Sequence, residues 1–405
     1  MMDIELGSRA RGFLTVMTLA GVMLAAVMAW QCSRTSVEQH RIFRMAVVHG
    51  YPTTLEQLDA WYAPVPPDEN AALGYVLAGA HLPGLYDLGE TWPSLDQPMP
   101  DDQRRRVAGR LVQHSEALTL IHQAGQLPQA RYDVAMASTA FNPTDLLPVR
   151  QCAALLDAQA MLAAEESRGD DAMDALLSMM ALARSLESWP ASAACSQRFS
   201  IANMVVHRLE RVLSYSRPSA AMLERLAQAA GRSCSSAPVE RALVGEGVVR
   251  YWTLVGQGVG SGSSPLREWM VPQNARRRAE AAMRLHLTCA QVVRQTPIDA
   301  LPARMSETDE WTGTPQGIML HYVMHAGRMR LLETVIAIER HRRLVGDLND
   351  EPAMLADLPT NPFDGRPFKY VRRPDRYTVS CDVAAPGREN VPPLSMTVIL
   401  SRQGR

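Results

Sequence analysis

The chain has 405 residues, with 41 Lys+Arg against 42 Asp+Glu, a formal net charge of −1 and 47% hydrophobic residues. This balance excludes the basic footprint of a nucleic-acid-binding surface, so no nucleic-acid partner is expected. The length leaves room for one large domain or two smaller ones. Lys369 is the sole lysine, so arginine supplies the other 40 basic residues, a bias read as genome composition before anion recognition. Six cysteines (Cys32, Cys152, Cys195, Cys234, Cys289, Cys381) include no CxxC pair and are too sparse for a disulfide framework. Buried free thiols are expected, with Cys195 and Cys234 the pair nearest in sequence should one bridge form.

In chain order, residues 1–11 form a short head. Gly12–Trp30 is the only long uncharged apolar run. As a helix it reaches roughly 28 Å, close to the thickness of a bilayer's hydrocarbon. Arg9 and Arg11 precede it and Arg34, Arg41 and Arg44 follow, so the charge bias is weak. The short head and long tail favour a cytoplasmic N-terminus and an extracytoplasmic body, anchored once in a cell inner membrane. A cleaved signal peptide, with Val27-Met28-Ala29 at the cut, is the alternative, and lipidation of Cys32 a weaker one. The run exceeds a signal peptide's apolar core, and Trp30-Gln31 stand where lipidation needs small residues.

Residues 31–100 read as a helical stalk and Pro-rich linker. A helix over Glu38–Val48 is stopped by Gly50-Tyr51-Pro52, and Thr53 or Thr54 caps a short helix ending at Trp61. Ala63–Pro67 is an extended spacer, Asp68–Leu82 a further helix, and 83–100 a Pro/Gly loop. Residues 101–346 read as an α-helical domain. Asp101 and Asp102 cap a helix whose Val107, Leu111, Leu118 and Ile121 share one face. Gln151–Trp189 is the clearest unit, an αα-hairpin. Its first helix carries Leu155, Leu156 and Leu162, Gly169 ends it, and Asp170 caps a second with Met173, Leu176, Leu177, Met180 and Ala183 on one face. A similar pair is expected at Ala193–Tyr215 and Ser219–Ala230, divided by Arg217-Pro218. These hairpins resemble tetratricopeptide units without the repeat consensus, and a non-repetitive bundle is the equal alternative.

The longest helix runs from Pro315 to Val345, with Ile318, Tyr322, Met329, Leu332 and Ile336 as its apolar stripe. Residues 347–405 change period. Phe368–Val371 and Tyr377–Cys381 read as a hairpin turned at Arg373–Arg376, and Met396–Leu400 as a third strand. The expected fold class is mainly α: an N-terminal transmembrane helix, a helical-hairpin (TPR-like or bundle) body and a small C-terminal β-meander packed on the last long helix.

The segment Leu358–Tyr370 (LPTNPFDGRPFKY), followed by Tyr377-Thr378-Val379, resembles the tail signature of type II secretion major pseudopilins. There, a proline- and aromatic-rich turn leads into a β-meander. Pro362, Phe363, Asp364, Gly365, Pro367 and Tyr370 are the residues of this structural turn. Pro362 and Pro367 stiffen it, Asp364-Gly365 supply the bend, and Phe363 and Phe368 pack it down. The chain also resembles a group of uncharacterised bacterial proteins with one N-terminal anchor and an Ala/Leu-rich helical body. That likeness rests on the hairpin Cys152–Glu187 and the segment Ala242–Glu246, and it implies architecture without chemistry. Two departures separate the chain from pseudopilins. Met17 stands where their apolar helix carries a glutamate after the cleavage site, here only faintly echoed by Gly12–Thr15. Asp382-Val383-Ala384-Ala385 replaces their Asp-rich calcium loop, so calcium binding is not expected.

Few residues suggest chemistry. His321 and His325 (HYVMH) stand one helical turn apart, a metal-clip spacing, but the glutamate of an HExxH site is missing and no third ligand is apparent. His325 falls on the apolar stripe, as a packed, hydrogen-bonded histidine does. The glycines of Gly256–Ser264 meet neither phosphate-loop spacing and read as a flexible link. Glu165-Glu166, Asp170-Asp171 and Asp309-Glu310 suit caps and solvated faces, and no GxSxG elbow is present. Arg104–Arg106 and Arg276–Arg278 each open an amphipathic helix. The expectation is a membrane-anchored scaffold or protein-interaction module, not an enzyme, with no cofactor. A pseudopilin-like secretion component and a metal-dependent envelope enzyme using His321 and His325 are the alternatives.

Overall fold

A computed structural model describes residues 16–23, 26, 37–82, 92–134, 146–256, 273–307, 313–346, 358–383 and 393–400. Most of the apolar run Gly12–Trp30 lies outside these, as do the head, Cys32, part of the 83–100 loop, the glycine-rich segment beyond Gly256, Asp309-Glu310 and 347–357. Within the run, residues 16–23 are helical with exposed side chains. No described helix is long and apolar enough to cross a membrane, so the expected transmembrane helix gains no support here.

The chain is mainly helical, with one three-stranded antiparallel sheet at its C-terminal end. Helix α1 (residues 37–48) stops at Gly50. Helix α2 (Leu55–Trp61) starts at Thr54, whose side chain accepts from Gln57 N. The helix expected over Asp68–Leu82 is shorter. Pro67–Glu69 form a 3-10 turn, and Asn70 caps α3 (Ala71–Ala80) by accepting from Ala72 N. The single helix expected beyond Asp101 is two, α4 (Asp101–Gln113) and α5 (Ser115–Gly125), broken at His114. The break lets each half find its own partner. Val107 packs with Ala158 and Leu162, whereas α5 lies on α3. Asp101 and Asp102 occupy the first turn of α4 without capping it, because Pro100 holds the cap position.

The hairpin of α6 (Leu147–Glu165) and α7 (Gly169–Arg184) forms as expected, with one change at the turn. Gly169 opens α7 instead of closing α6. A Cβ there would lie 2.6 Å from Pro218 N, where the link between the next two helices crosses. Asp170 serves that link rather than its own helix, its carboxylate accepting from Ser219 N. Helices α8 (Ser192–Tyr215) and α9 (Ala220–Ser233) do not close as a second hairpin. Instead α9 packs chiefly on α7 and on α13 (Thr314–Val345). Among the described helices, α9 thus meets α13, distant in sequence, in place of its chain neighbour α8. The apolar surface of α13 is more than a stripe: besides Ile318, Tyr322, Met329, Leu332 and Ile336, it buries Met319, Val323, Ala326, Val335 and Ile338. Helices α10 (Ala237–Gly256) and α11 (Gln273–Gln295) form the tightest pair and share a second core with α1, α2 and the start of α13; short α12 (Leu301–Ser306) leads into α13.

One polar knot holds α6, α8 and the 92–100 segment together. Glu165 and Arg211 pair with their side chains only 2% and 4% exposed. Arg211 also donates to the carbonyls of Pro93, Ser94 and Gln97, and the other Glu165 oxygen accepts from Met99 N. Beside it, Asp157 accepts from Trp92 Nε1 at 2.8 Å and pairs with Arg208.

The sheet runs β1 (Lys369–Arg372), β2 (Arg376–Cys381), β3 (Leu394–Ile399) in spatial order. Tyr377, Val379, Cys381, Leu394, Met396 and Val398 are buried, and they seat the sheet on α8 as well as on α13. Tyr377 OH donates to Glu339 of α13 at 2.8 Å, while α8 supplies Glu210 and Ser214 to Thr397 N and Ile399 N. The turn before β1 is centred on buried Asn361. Its amide donates to Asp364 and to Asp382 O and accepts from Phe363 N, and Gly365 N bonds Asn361 O at 2.8 Å. Phe363 is half-buried against Gly327 of α13, Phe368 is buried, and Pro367 is exposed.

Both the knot and the turn can be tested by substitution. Glu165→Ala strands a buried guanidinium and should cost about 3–5 kcal/mol in urea unfolding, with the 92–100 segment becoming protease-sensitive. The pair change Glu165→Leu with Arg211→Met should recover much of that loss, although the freed carbonyls limit the recovery. At the turn, Gly365 has φ +69, so Gly365→Val should destabilise more than Gly365→Asn in the same measurement. Phe363→Ala should cost about 1–3 kcal/mol, below the range for a fully buried ring.

Candidate functional site

A trough of about 400 Å³ lies between the end of α5, α7, α8 and α9. Four arginines line it, Arg184, Arg198, Arg225 and Arg232, with Asp174 and Glu187 as the carboxylates. Arg198 stands on the inward face of α8, in step with Cys195, Ala202 and Val205, and is 1% exposed. Its Nη2 donates to Ser233 O at 2.6 Å and to Glu187 Oε1 at 3.0 Å, and its guanidinium lies over the Phe199 ring. The Ser233 carbonyl ends α9, where a cation is favoured by the helix dipole. Nη1 of Arg198 is buried and has no hydrogen-bond partner among the described residues.

Arg184 does the same for α5, donating to Gly125 O and Leu127 O at 3.3 Å. Arg225 and Arg232 stand exposed on α9, one helix face apart from the floor, and neither forms a carboxylate pair among the described residues. Glu187 is committed to Arg198, so among the lining side chains four arginines stand against two carboxylates.

Ser178 reaches the same trough from α7. Its hydroxyl lies 2.9 Å from His122 Nδ1, and His122 Nε2 lies 3.0 Å from Gln159 Oε1. A serine beside a histidine invites a nucleophilic reading. Ser178, however, is in the middle of α7, where nearby backbone N–H groups serve the helix and offer no oxyanion donors. The three side chains bridge α5, α6 and α7.

The histidines singled out by spacing are not brought together. His321 is exposed, whereas His325 is fully buried, stacked on Phe199 at 4.6 Å, with Nε2 3.2 Å from Ser233 Oγ and O. No group of three or more metal-ligating side chains occurs among the described residues. The five described cysteines, including Cys195 and Cys234, are free, and burial pushes their thiols up to about 12. The turn residues Pro362, Phe363, Asp364, Gly365, Pro367 and Tyr370 lie at the sheet's entry, away from the trough. Sequence reading passed over Arg198. The available signal was an arginine in register with the apolar positions of a long helix. Comparison with protein-family models, curated proteins and solved structures finds no match to the chain.

Burial, with Arg198 beside it, holds His325 down at about 3 against its ordinary 6.5. An unfolded histidine takes up a proton below 6.5 that the folded one refuses until about 3. This group's stabilising contribution is therefore whole above pH 6.5 and falls as pH drops through that window. His325→Gln should flatten that part of the acid limb in a stability–pH profile by urea unfolding.

Proposed function

We propose that the protein is a non-catalytic scaffold of the cell envelope, held at the membrane by Gly12–Trp30, whose helical body presents the α5–α7–α8–α9 trough to a protein partner. The observation carrying this reading is the trough itself: a concave surface on the helical bundle, lined by a buried arginine whose Nη1 has no partner among the described residues. Concave helical faces are suited to gripping a peptide segment, and arginine is among the residues enriched at interface hot spots. A metal-dependent enzyme finds no favouring observation, since His325 is enclosed by Phe199 and Ser233 while His321 faces outward.

The test is a photo-crosslinking amino acid in the full-length chain in its native cells, at exposed Gln228 in the trough and at exposed Arg105 on α4 as the off-site control. A discrete adduct from position 228 and none from 105 is expected. Adducts from neither position, or equally from both, would sink the scaffold reading. Protease treatment of spheroplasts should also digest the body while sparing the anchor, and a body protected on the cytoplasmic side would remove the envelope placement.

A further inference from the structure

Arg198 is an expensive residue to place where it is. A guanidinium removed from water needs its donors satisfied, and here Nη2 bonds Ser233 O and Glu187 while Nη1 has no partner among the described residues. Its carboxylate partner, Glu187, is one-third exposed and makes only one of the contacts that a bidentate pair would make. The exposed Arg225 and Arg232 extend the positive charge along the α9 wall.

We infer that the trough takes an acidic segment of the partner protein, with one carboxylate seated on Arg198 and neighbouring acidic residues meeting Arg225 and Arg232. This rests on the scaffold reading above and names the chemistry of what it holds.

Three features favour a peptide carboxylate over a free phosphate. The helix ends bordering the trough are the C-terminal ends of α5, α7 and α9, so no fan of backbone N–H groups of the kind that cradles a phosphate faces it. A carboxylate needs fewer donors, and Nη1 of the lining Arg198, though buried, is a donor with no partner among the described residues. The walls also include Leu177, Met180, Ala183 and Ala229, apolar surface that suits the methylenes of a glutamate and the backbone beside it. Finally, the rim arginines are spread along a helix instead of converging on one point, the arrangement that steers an extended acidic chain.

The experiment is fluorescence polarisation of a fluorescein-labelled hexaglutamate peptide on the full-length protein in neutral detergent. Hexaglutamine and hexalysine are the control peptides, and inorganic phosphate is the competitor. Saturable binding of hexaglutamate alone is expected, weakening as salt is raised. Arg225→Glu with Arg232→Glu should weaken it about tenfold, whereas Arg105→Glu on α4 should leave it unchanged. Arg198→Gln should abolish binding while the circular dichroism is retained. Should that variant fail to fold, the exposed double change decides, because both residues lie on the surface. Equal affinity for hexaglutamate and hexaglutamine, or no effect of the double change, would overturn the inference. Displacement by submillimolar phosphate would also overturn it and assign the trough to the free anion. A crosslinked partner from position 228 without hexaglutamate binding would remove this inference alone, whereas failure of the crosslink removes the scaffold reading.

Discussion

The ion pair between Glu165 and Arg211 is the constraint around which the body is arranged. Burying both charges carries a desolvation cost of several kcal/mol per ion, which attraction alone offsets only with good geometry and further hydrogen bonds. Here the further bonds exist, because Arg211 takes three carbonyls of the 92–100 segment and Glu165 takes an amide from it. A stretch without regular structure of its own is thereby given backbone partners, and α6 and α8 are fixed at one separation. The rest of α8 repeats this logic. Arg198 holds the end of α9, Arg208 holds Asp157, and Glu210 and Ser214 hold β3. A helix that reads as ordinary and amphipathic is the polar spine of the molecule.

Much of the architecture was legible because it is written in local periods. The α6–α7 hairpin, the Thr54 cap, the breaks at Arg217-Pro218 and the three strands all follow from spacing within a few residues. What escaped is the choice of partner. Apolar spacing shows that α9 has an inward face, but it does not say that this face meets α7 and α13 instead of α8. The same limit hid the break at His114, which exists because two halves of one apolar face meet different neighbours. It also hid the depth of α13, whose burial comes from helices distant in sequence.

The site was less legible than the fold for a compositional reason. With arginine nearly the only basic residue, a buried arginine looks like every surface one, and the bias that explained most of them concealed Arg198 and Arg211. The histidine pair had the opposite problem. Its spacing drew attention, yet one ring lies inside the core and the other outside it. Reading His325 as a packed residue on the apolar stripe was correct, and its ring now proves to be a neighbour of the arginine that spacing alone did not single out.

The way β3 is held has a consequence for self-association. A strand at the rim of a sheet normally offers a row of free amides on which another chain can build. On β3 the outward amides of Thr397 and Ile399 are already taken by Glu210 and Ser214. The opposite rim is β1, a strand of only four residues carrying Lys369 and Arg372, and short charged rims resist strand addition. Sheet-by-sheet polymerisation, the route by which small meanders are recruited into fibrils or exchanged between copies, is thus obstructed at Thr397 and Ile399 on one rim and discouraged at the other.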